Sequence, residues 1–456
     1  MRRLFFYVLM LIWTVAVSAE DVDVQILSEV GLPVLWIETV NGELPTCEYI
    51  RHPEGAMGAT ITNATKVPAR LVITKGDLTL YDSGDYVENE SGITFRIRGN
   101  TSASRDKKPY KIKLQKKADL LCRGNDSIYH DKNWILLRDE KLFTKIGFKL
   151  NEMIGMQWTP AYEYVNVVVN GKYIGNYMLV ESVSRNRKCR LDVEKTGFVF
   201  EYDPYWWNED LYVDSPTLPS YMRYTFKYPD PEDITEDQLH YFKKMIESVE
   251  YSLKDGNYDK YIETNSFVNW LLVQDILGNG DGGGSNYYMT KYDDTSKSKV
   301  MMANLWDFDR IMIDENKWSN NHGGWFYYQI LLKNGDFLRA YKYKFKEIAP
   351  TYFDEMIAFL DEYANSEEGV AVSRSLELNN QQWNDDYLSL KEYIDDEKLW
   401  FKKRKVWMMN AMNDINNISS PKIETTDNRF FNLQGVETPL PVKGIYIHQG
   451  KKYIKK

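Results

Sequence analysis

Apolar residues change their spacing along this chain, and that change limits the folds open to it. Up to Glu181 they come in short strand-like runs: Leu32-Pro33-Val34-Leu35-Trp36-Ile37-Glu38-Thr39, Arg70-Leu71-Val72-Ile73, Ile93-Thr94-Phe95-Arg96-Ile97-Arg98 and Tyr110-Lys111-Ile112-Lys113-Leu114. Asn41-Gly42 and Asn170-Gly171 are hairpin-turn pairs, and the second closes a hairpin from Tyr164 to Glu181. One helix interrupts, over Asp139 to Ile154, with Leu142, Ile146, Leu150 and Ile154 on one stripe. Residues 236–277 and 336–413 then read as helical. The expected class is α+β: a β-rich region at 20–181, an aromatic and acidic insertion at 182–235, a mainly helical region at 236–415, and a linker with a short β tail at 416–456.

Charge and motif content exclude several functions. The 57 Lys+Arg against 66 Asp+Glu leave a net charge of −9, which argues against a nucleic-acid partner, since phosphate contact needs a basic face. Cys47, Cys122 and Cys189 cannot all pair internally, and they show no zinc-ligand spacing. None of His52, His130, His240, His322 and His448 has a metal-ligand partner at helical spacing. The commonest hydrolase and P-loop signatures do not occur. At the N-terminus, Arg2 and Arg3 precede the apolar run Leu4 to Val17, and Val17-Ser18-Ala19 fits a cleavage site before Glu20. Residues 1–19 are therefore expected to be a signal peptide cleaved after Ala19. The mature chain would then be secreted, at the cell surface or in the periplasm.

Chemistry concentrates between Asp281 and Asp309. An Asp stands in a glycine loop, Asn286 follows five residues on, and Trp306-Asp307-Phe308-Asp309 comes about one hairpin later. The strand-like run Tyr287 to Tyr292, a turn near Lys297 and the return through Val300 to Ala303 form that hairpin. In this order the residues describe a phosphoryl-transfer site. Asp281 would orient the attacking hydroxyl, while Asn286 and Asp307 would hold Mg²⁺ or Mn²⁺. Asp309 is either a second acid for metal or a partner for Arg310. A calcium loop of EF-hand type would need alternating acids and a closing Glu that are not here. The bland alternative is a solvated Gly/Asn/Asp turn ahead of a buried Trp.

Six ordered blocks resemble the CotH (spore-coat protein H) kinase family, secreted or surface proteins with an atypical kinase fold. They are Arg98-Gly99-Asn100-Thr101-Ser102, Lys107 to Leu114, Trp134-Ile135-Leu136-Leu137 with Asp139, Val167 to Glu181, the Asp281/Asn286 loop, and Trp306 to Asp309. The resemblance implies an atypical bilobal protein-kinase-like fold, with a β-rich N-terminal lobe and a helical C-terminal lobe. It also implies Mg²⁺-dependent transfer from ATP to Ser or Thr of a protein substrate, with Asp281 and Asp307 most important. Beside the Gly99 turn, Arg98 would supply positive charge to phosphate. Alternation puts Lys111 and Lys113 on one strand face, and one of them would point at the nucleotide, Lys113 being favoured. Glu181 would face the nucleotide cleft, near the adenine edge or paired with the lysine. The family usually carries an Arg-Asn pair in the helix after Asp139; Thr144 and Lys145 stand there. The rival function is a non-catalytic kinase-fold surface module that binds protein or glycan through the aromatic insertion.

The last segment stands apart. After the polar stretch Ile418 to Asn428 come Phe431-Asn432-Leu433-Gln434-Gly435, Gly444-Ile445-Tyr446-Ile447 and Gly450 to Lys456. This resembles the short tail of many secreted Bacteroidetes-type proteins, which implies contact with export machinery. Truncation after Ile418 is expected to leave the thermal midpoint nearly unchanged while altering where the protein accumulates. A truncated chain that unfolds, or that localises as the full chain does, would make the segment an ordinary structural hairpin.

Overall fold

The computed structural model describes residues 22–56, 60–124, 126–284, 286–303, 307–383 and 388–414, together with four short strands near the C-terminus. The expected signal peptide and most of the polar linker lie outside the described residues. The chain divides into two compact units, Met1–Trp407 and Met408–Lys456.

In the first unit Asn170-Gly171 forms the expected turn. Asn170 and Gly171 have φ of 50° and 77°, and β9 (Tyr162–Val169) pairs antiparallel with β10 (Lys172–Glu181). Asn41 also takes positive φ, at 58°, but the hairpin expected there does not form. β1 (Val34–Thr39) already has β9 on one edge and β4 (Val67–Lys75) on the other, so β2 (Cys47–Arg51) pairs with β3 (Thr60–Ala64) instead. The remaining strands of the main sheet are β5 (Leu78–Asp82), β6 (Ile93–Ile97), β7 (Tyr110–Ala118) and β8 (Asp131–Leu137). The order is β1-β9-β10-β8-β7-β6-β4-β5, and the β1–β4 pairing closes the sheet on itself. Alternate residues such as Leu35, Leu71, Phe95, Ile112, Trp134, Val167 and Tyr177 form one buried cluster.

α1 (Phe143–Ile154) begins later than its apolar stripe suggested. Asp139 caps it from outside, accepting the N–H of Thr144 at 2.7 Å and of Lys145 at 3.3 Å, and the Tyr164 hydroxyl at 2.6 Å. Leu142, Ile146, Leu150 and Ile154 are all buried, as their spacing required.

The stretch 182–235 is not simply a long insertion. It supplies β11 (Phe198–Asp203), β12 (Tyr212–Val213) and β13 (Arg223–Tyr228), which join β14 (Tyr287–Lys291) and β15 (Val300–Met302) in a second sheet, ordered β12-β13-β11-β14-β15. All six residues of β11 are buried, because both faces are covered and alternation is lost.

Helices follow: α2 (Glu236–Asp255), α3 (Thr264–Leu277), α4 (Tyr328–Leu331), α5 (Gly335–Ile348), α6 (Tyr352–Ala364), α7 (Glu367–Trp383) and α8 (Leu390–Asp414). They are not confined to a separate lobe. α7 lies on β10, where Asn176 donates to Ser375 at 2.7 Å and Ser375 to Asn166 at 2.6 Å. Among the described residues no helix is long and apolar enough to cross a membrane. In the second unit β18 (Gly444–His448) pairs with β19 (Lys451–Lys455), beside the short strands β16 (Phe430–Phe431) and β17 (Glu437–Thr438).

Glu397 in α8 is 3% exposed, and neither carboxylate oxygen has a hydrogen-bond partner among the described residues. Burial above all, then the Asp139 and Asp396 carboxylates, push its pKa well above the ordinary value, with Lys141 opposing. A carboxyl raised on folding favours the native state at low pH, and that advantage is lost as pH rises from about 4.3, the unfolded value. Glu397→Gln should therefore stabilise the protein by about 1–3 kcal/mol at neutral pH. Denaturant titrations from acid to neutral pH would show the gap widening; parallel curves would contradict it.

Candidate active-site cleft

α3 ends at Gly278, in the left-handed conformation with φ 57°. The chain then runs beside the segment that leaves the β14–β15 hairpin. Met312 N–H donates to the Leu277 carbonyl at 2.8 Å, and Gly280 N–H to the Arg310 carbonyl at 2.9 Å. These bonds lay the Asp281 loop alongside the Asp307 loop. Asn286 and Asp307 both adopt left-handed backbone, with φ of 62° and 63°, a conformation that Asn and Asp tolerate better than most residues. Asn286 Nδ2 donates to Asp307 Oδ2 at 3.4 Å, and Arg310 lies 3.4 Å from Asp281 Oδ1.

The glycines after Asp281 answer a packing need. A Cβ on Gly282 would lie 2.6 Å from Gln274 Oε1, and one on Gly283 would lie 2.9 Å from Asn320 Cβ. Asn320 and Asn321 donate to the carbonyls of Gly280 and Gly282. Phe308 is buried against α1, its ring edge-on to Phe148 with centroids 6.0 Å apart, and a Cβ on Gly147 would collide with it. Trp306 and Ser285 lie outside the described residues.

Asp281, Asn286, Asp307 and Asp309 open onto one cleft of about 710 Å³, which Arg98 and the Gly99–Ser102 turn also line. The second sheet contributes Glu201, Asp203, Lys227 and Tyr288. Arg138, Glu140 and Lys141 come from the segment ahead of α1. Eight carboxylates face five cationic side chains among the described residues of this lining, so the cleft attracts cations.

Asp307 is open to the cleft yet surrounded by protein. That enclosure is the main cause raising its carboxyl, the Asp309 and Asp281 carboxylates add to it, and Arg98 and Asn286 oppose. Burial, then the Asp203 charge, pushes Glu201 up to about 7, while Lys227 at 3.3 Å pulls it back. Glu140 goes the other way. Burial would raise it, but Lys107 at 2.8 Å and Arg138 outweigh burial and hold it at about 2.

The other expected residues are placed elsewhere. Lys111 and Lys113 share the outward face of β7 as alternation predicted, but neither lines the cleft, and Lys113 is exposed. Lys111 is brought to about 8, first by burial and then by Arg96, Arg98, Lys113 and Lys227. Glu181 is buried outside the cleft lining. It binds Arg123 at 2.8 Å and Arg190 at 3.4 Å, and accepts the Ala161 N–H at 3.1 Å. Lys145 pairs with Glu368 at 3.1 Å beneath the Tyr363 ring and does not line the cleft, whereas Thr144 does. Sequence reasoning passed over Arg138, Glu140, Lys141 and Lys227. The charged run Arg138 to Lys141, just ahead of a helix, could have signalled the first three, whereas Lys227 sits in an ordinary strand run with no local sign of its role.

Behind the cleft, Asp275 is fully buried. It accepts from Ser319 N–H at 3.0 Å, Ser319 Oγ at 2.7 Å and Tyr341 OH at 2.7 Å, and His322 Nε2 lies 2.8 Å away. Burial opposes its charge, but His322 and the hydrogen bonds prevail and its pKa is lowered.

Comparison with known families matches residues 95–401 to the family described as CotH kinase protein. A search of curated proteins finds no significant match.

Asp275→Asn should cost roughly 3–5 kcal/mol, because it breaks a buried charged cluster. A lowered carboxylate stabilises above its unfolded pKa of about 3.9, and that contribution disappears as pH falls through the lower folded value. Denaturation of wild type and variant should therefore converge only in strong acid; equal stability at neutral pH would contradict the assignment.

Proposed function

The chain belongs to the CotH kinase family, and on that premise we propose that it transfers the γ-phosphate of ATP to Ser or Thr of a secreted or surface protein, with Mg²⁺ or Mn²⁺. One observation carries this reading: Asp281 and Asn286 on one loop, and Asp307 and Asp309 on the loop beyond the β14–β15 hairpin, share one carboxylate-rich cleft with Arg98 and the Gly99 turn, which come from the first sheet, far earlier in the chain. Phosphoryl transfer needs just such convergence, since catalysis there is positioning plus charge stabilisation.

The donor set fits a hard divalent cation, being made of carboxylate and amide oxygens. Among the described residues no three acidic, His or Cys side chains cluster tightly enough to hold a metal alone. Mg²⁺ is commonly held by one or two carboxylates, with phosphate oxygens and water completing the shell. Asp307 and Asn286 would hold it, with Asp309 alongside. When bound, it would neutralise charge on the triphosphate. Asp281 would orient the acceptor hydroxyl and take its proton. Arg98, set beside Asp307, would face the phosphates, and the small side chains of Asn100, Thr101 and Ser102 allow close approach.

The signal-peptide spelling supports action outside the cytoplasm, and the tail is proposed to engage export machinery.

Asp281→Asn is expected to lower phosphotransfer by about 10²–10⁴-fold while leaving metal–nucleotide binding intact. Asp307→Asn should weaken that binding as well. Radiolabel transfer and calorimetry with Mg²⁺ or Mn²⁺ separate the two. Wild-type protein that binds no nucleotide with either ion would favour the non-catalytic module.

A further inference from the structure

We propose that Asn279 is a positioning residue that sets the spacing between Asp281 and Asp307; this rests on the phosphotransfer reading. Its carboxamide touches both acid-bearing segments. Oδ1 accepts the N–H of Asp281 at 2.9 Å, and Nδ2 donates to the carbonyl of Asp307 at 3.4 Å. The side chain is 1% exposed, so water cannot readily take over either bond.

Arg310 and Asn286 also cross between the loops, at 3.4 Å from Asp281 Oδ1 and Asp307 Oδ2, but they touch the carboxylates and not the backbone that carries them. The two backbone bonds, Met312 to Leu277 and Gly280 to Arg310, fix the register of the segments. Asn320 and Asn321 grip the carbonyls of Gly280 and Gly282. Asn279 alone among these groups bonds to the backbone of both Asp281 and Asp307. Its reach matters most at Asp307, whose left-handed φ of 63° gives the peptide an unusual direction that a donor at its carbonyl can hold.

An amide is the group this job requires. Asp would keep the acceptor for Asp281 N–H but would set a carboxylate oxygen against the Asp307 carbonyl. Ala would remove both bonds, leaving the register contacts to hold the loops. The result of either change is a small displacement of the hydroxyl-orienting carboxylate relative to the metal-side carboxylate, and in-line transfer is sensitive to about 1 Å of such misplacement.

The test uses the full chain with Asn279→Ala and Asn279→Asp, and three readings: circular dichroism for folding, steady-state phosphotransfer, and the electron paramagnetic resonance spectrum of bound Mn²⁺·ADP. Both variants should fold. kcat should fall by about 10–100-fold, the range seen when groups that orient a site's ligands are removed, with the acceptor KM unchanged. The Mn²⁺ spectrum should broaden as the coordinating groups lose a single geometry. Variants with wild-type kcat and spectrum overturn the proposal, as does a raised KM at unchanged kcat. Unfolding of both variants also overturns it, in favour of a purely structural amide. A wild type that binds Mn²⁺·ADP but transfers no phosphate defeats the kinase reading alone, and the spectra still decide Asn279. A wild type that does neither overturns both.

Discussion

A buried charge organises the helical half of this protein. Asp275 sits in the last turn of α3, with its carboxylate held by Ser319, His322 and Tyr341. Its main-chain carbonyl meanwhile accepts Arg404 Nε of α8 at 3.0 Å. An isolated carboxylate in such a place would cost several kcal/mol, so its partners cannot move independently. Ser319 and His322 flank Asn320 and Asn321, the two residues that grip the glycine loop. The position of Asp281 thus depends on a carboxylate that never reaches the cleft.

The cleft itself is assembled from three sources. The closed sheet contributes Arg98, at the end of β6, and the segment Arg138 to Lys141 between β8 and α1. The second sheet contributes Glu201, Asp203, Lys227 and Tyr288. The paired loops contribute Asp281, Asn286, Asp307 and Asp309. Phe308 joins the first source to the third, because its ring fills the space left by Gly147 on α1. A shift of α1 would therefore be felt next to Asp307, through packing rather than through any bond.

Local spelling read well wherever a single segment decides its own shape. Asn170-Gly171 closed its hairpin, and the stripe from Leu142 to Ile154 faced inward. Asp281, Asn286, Asp307 and Asp309 came together because the hairpin between them returns the chain to its start. Lys113 and Glu181 were harder to place. Both are chemically suited to a nucleotide, and nothing local says that Lys113 faces open solvent or that Arg123 and Arg190 already surround Glu181. Asn41-Gly42 kept its left-handed conformation and still made no hairpin, since β1 had no free edge to offer.

The sequence by itself determined the classes of element, the order of the chemical groups and the family to which they belong. Periodicity and turn chemistry act over a few residues and need no partner. Tertiary structure decided the rest: that β11 and β13 build a wall of the cleft, that α7 lies on the first sheet, that Lys145 belongs to Glu368, and that Asn279 spans two loops. Each of these is a pairing between residues that the chain brings together only by folding. Burial then selects among the pairings, because a buried charge or amide must find a partner wherever the packing puts one.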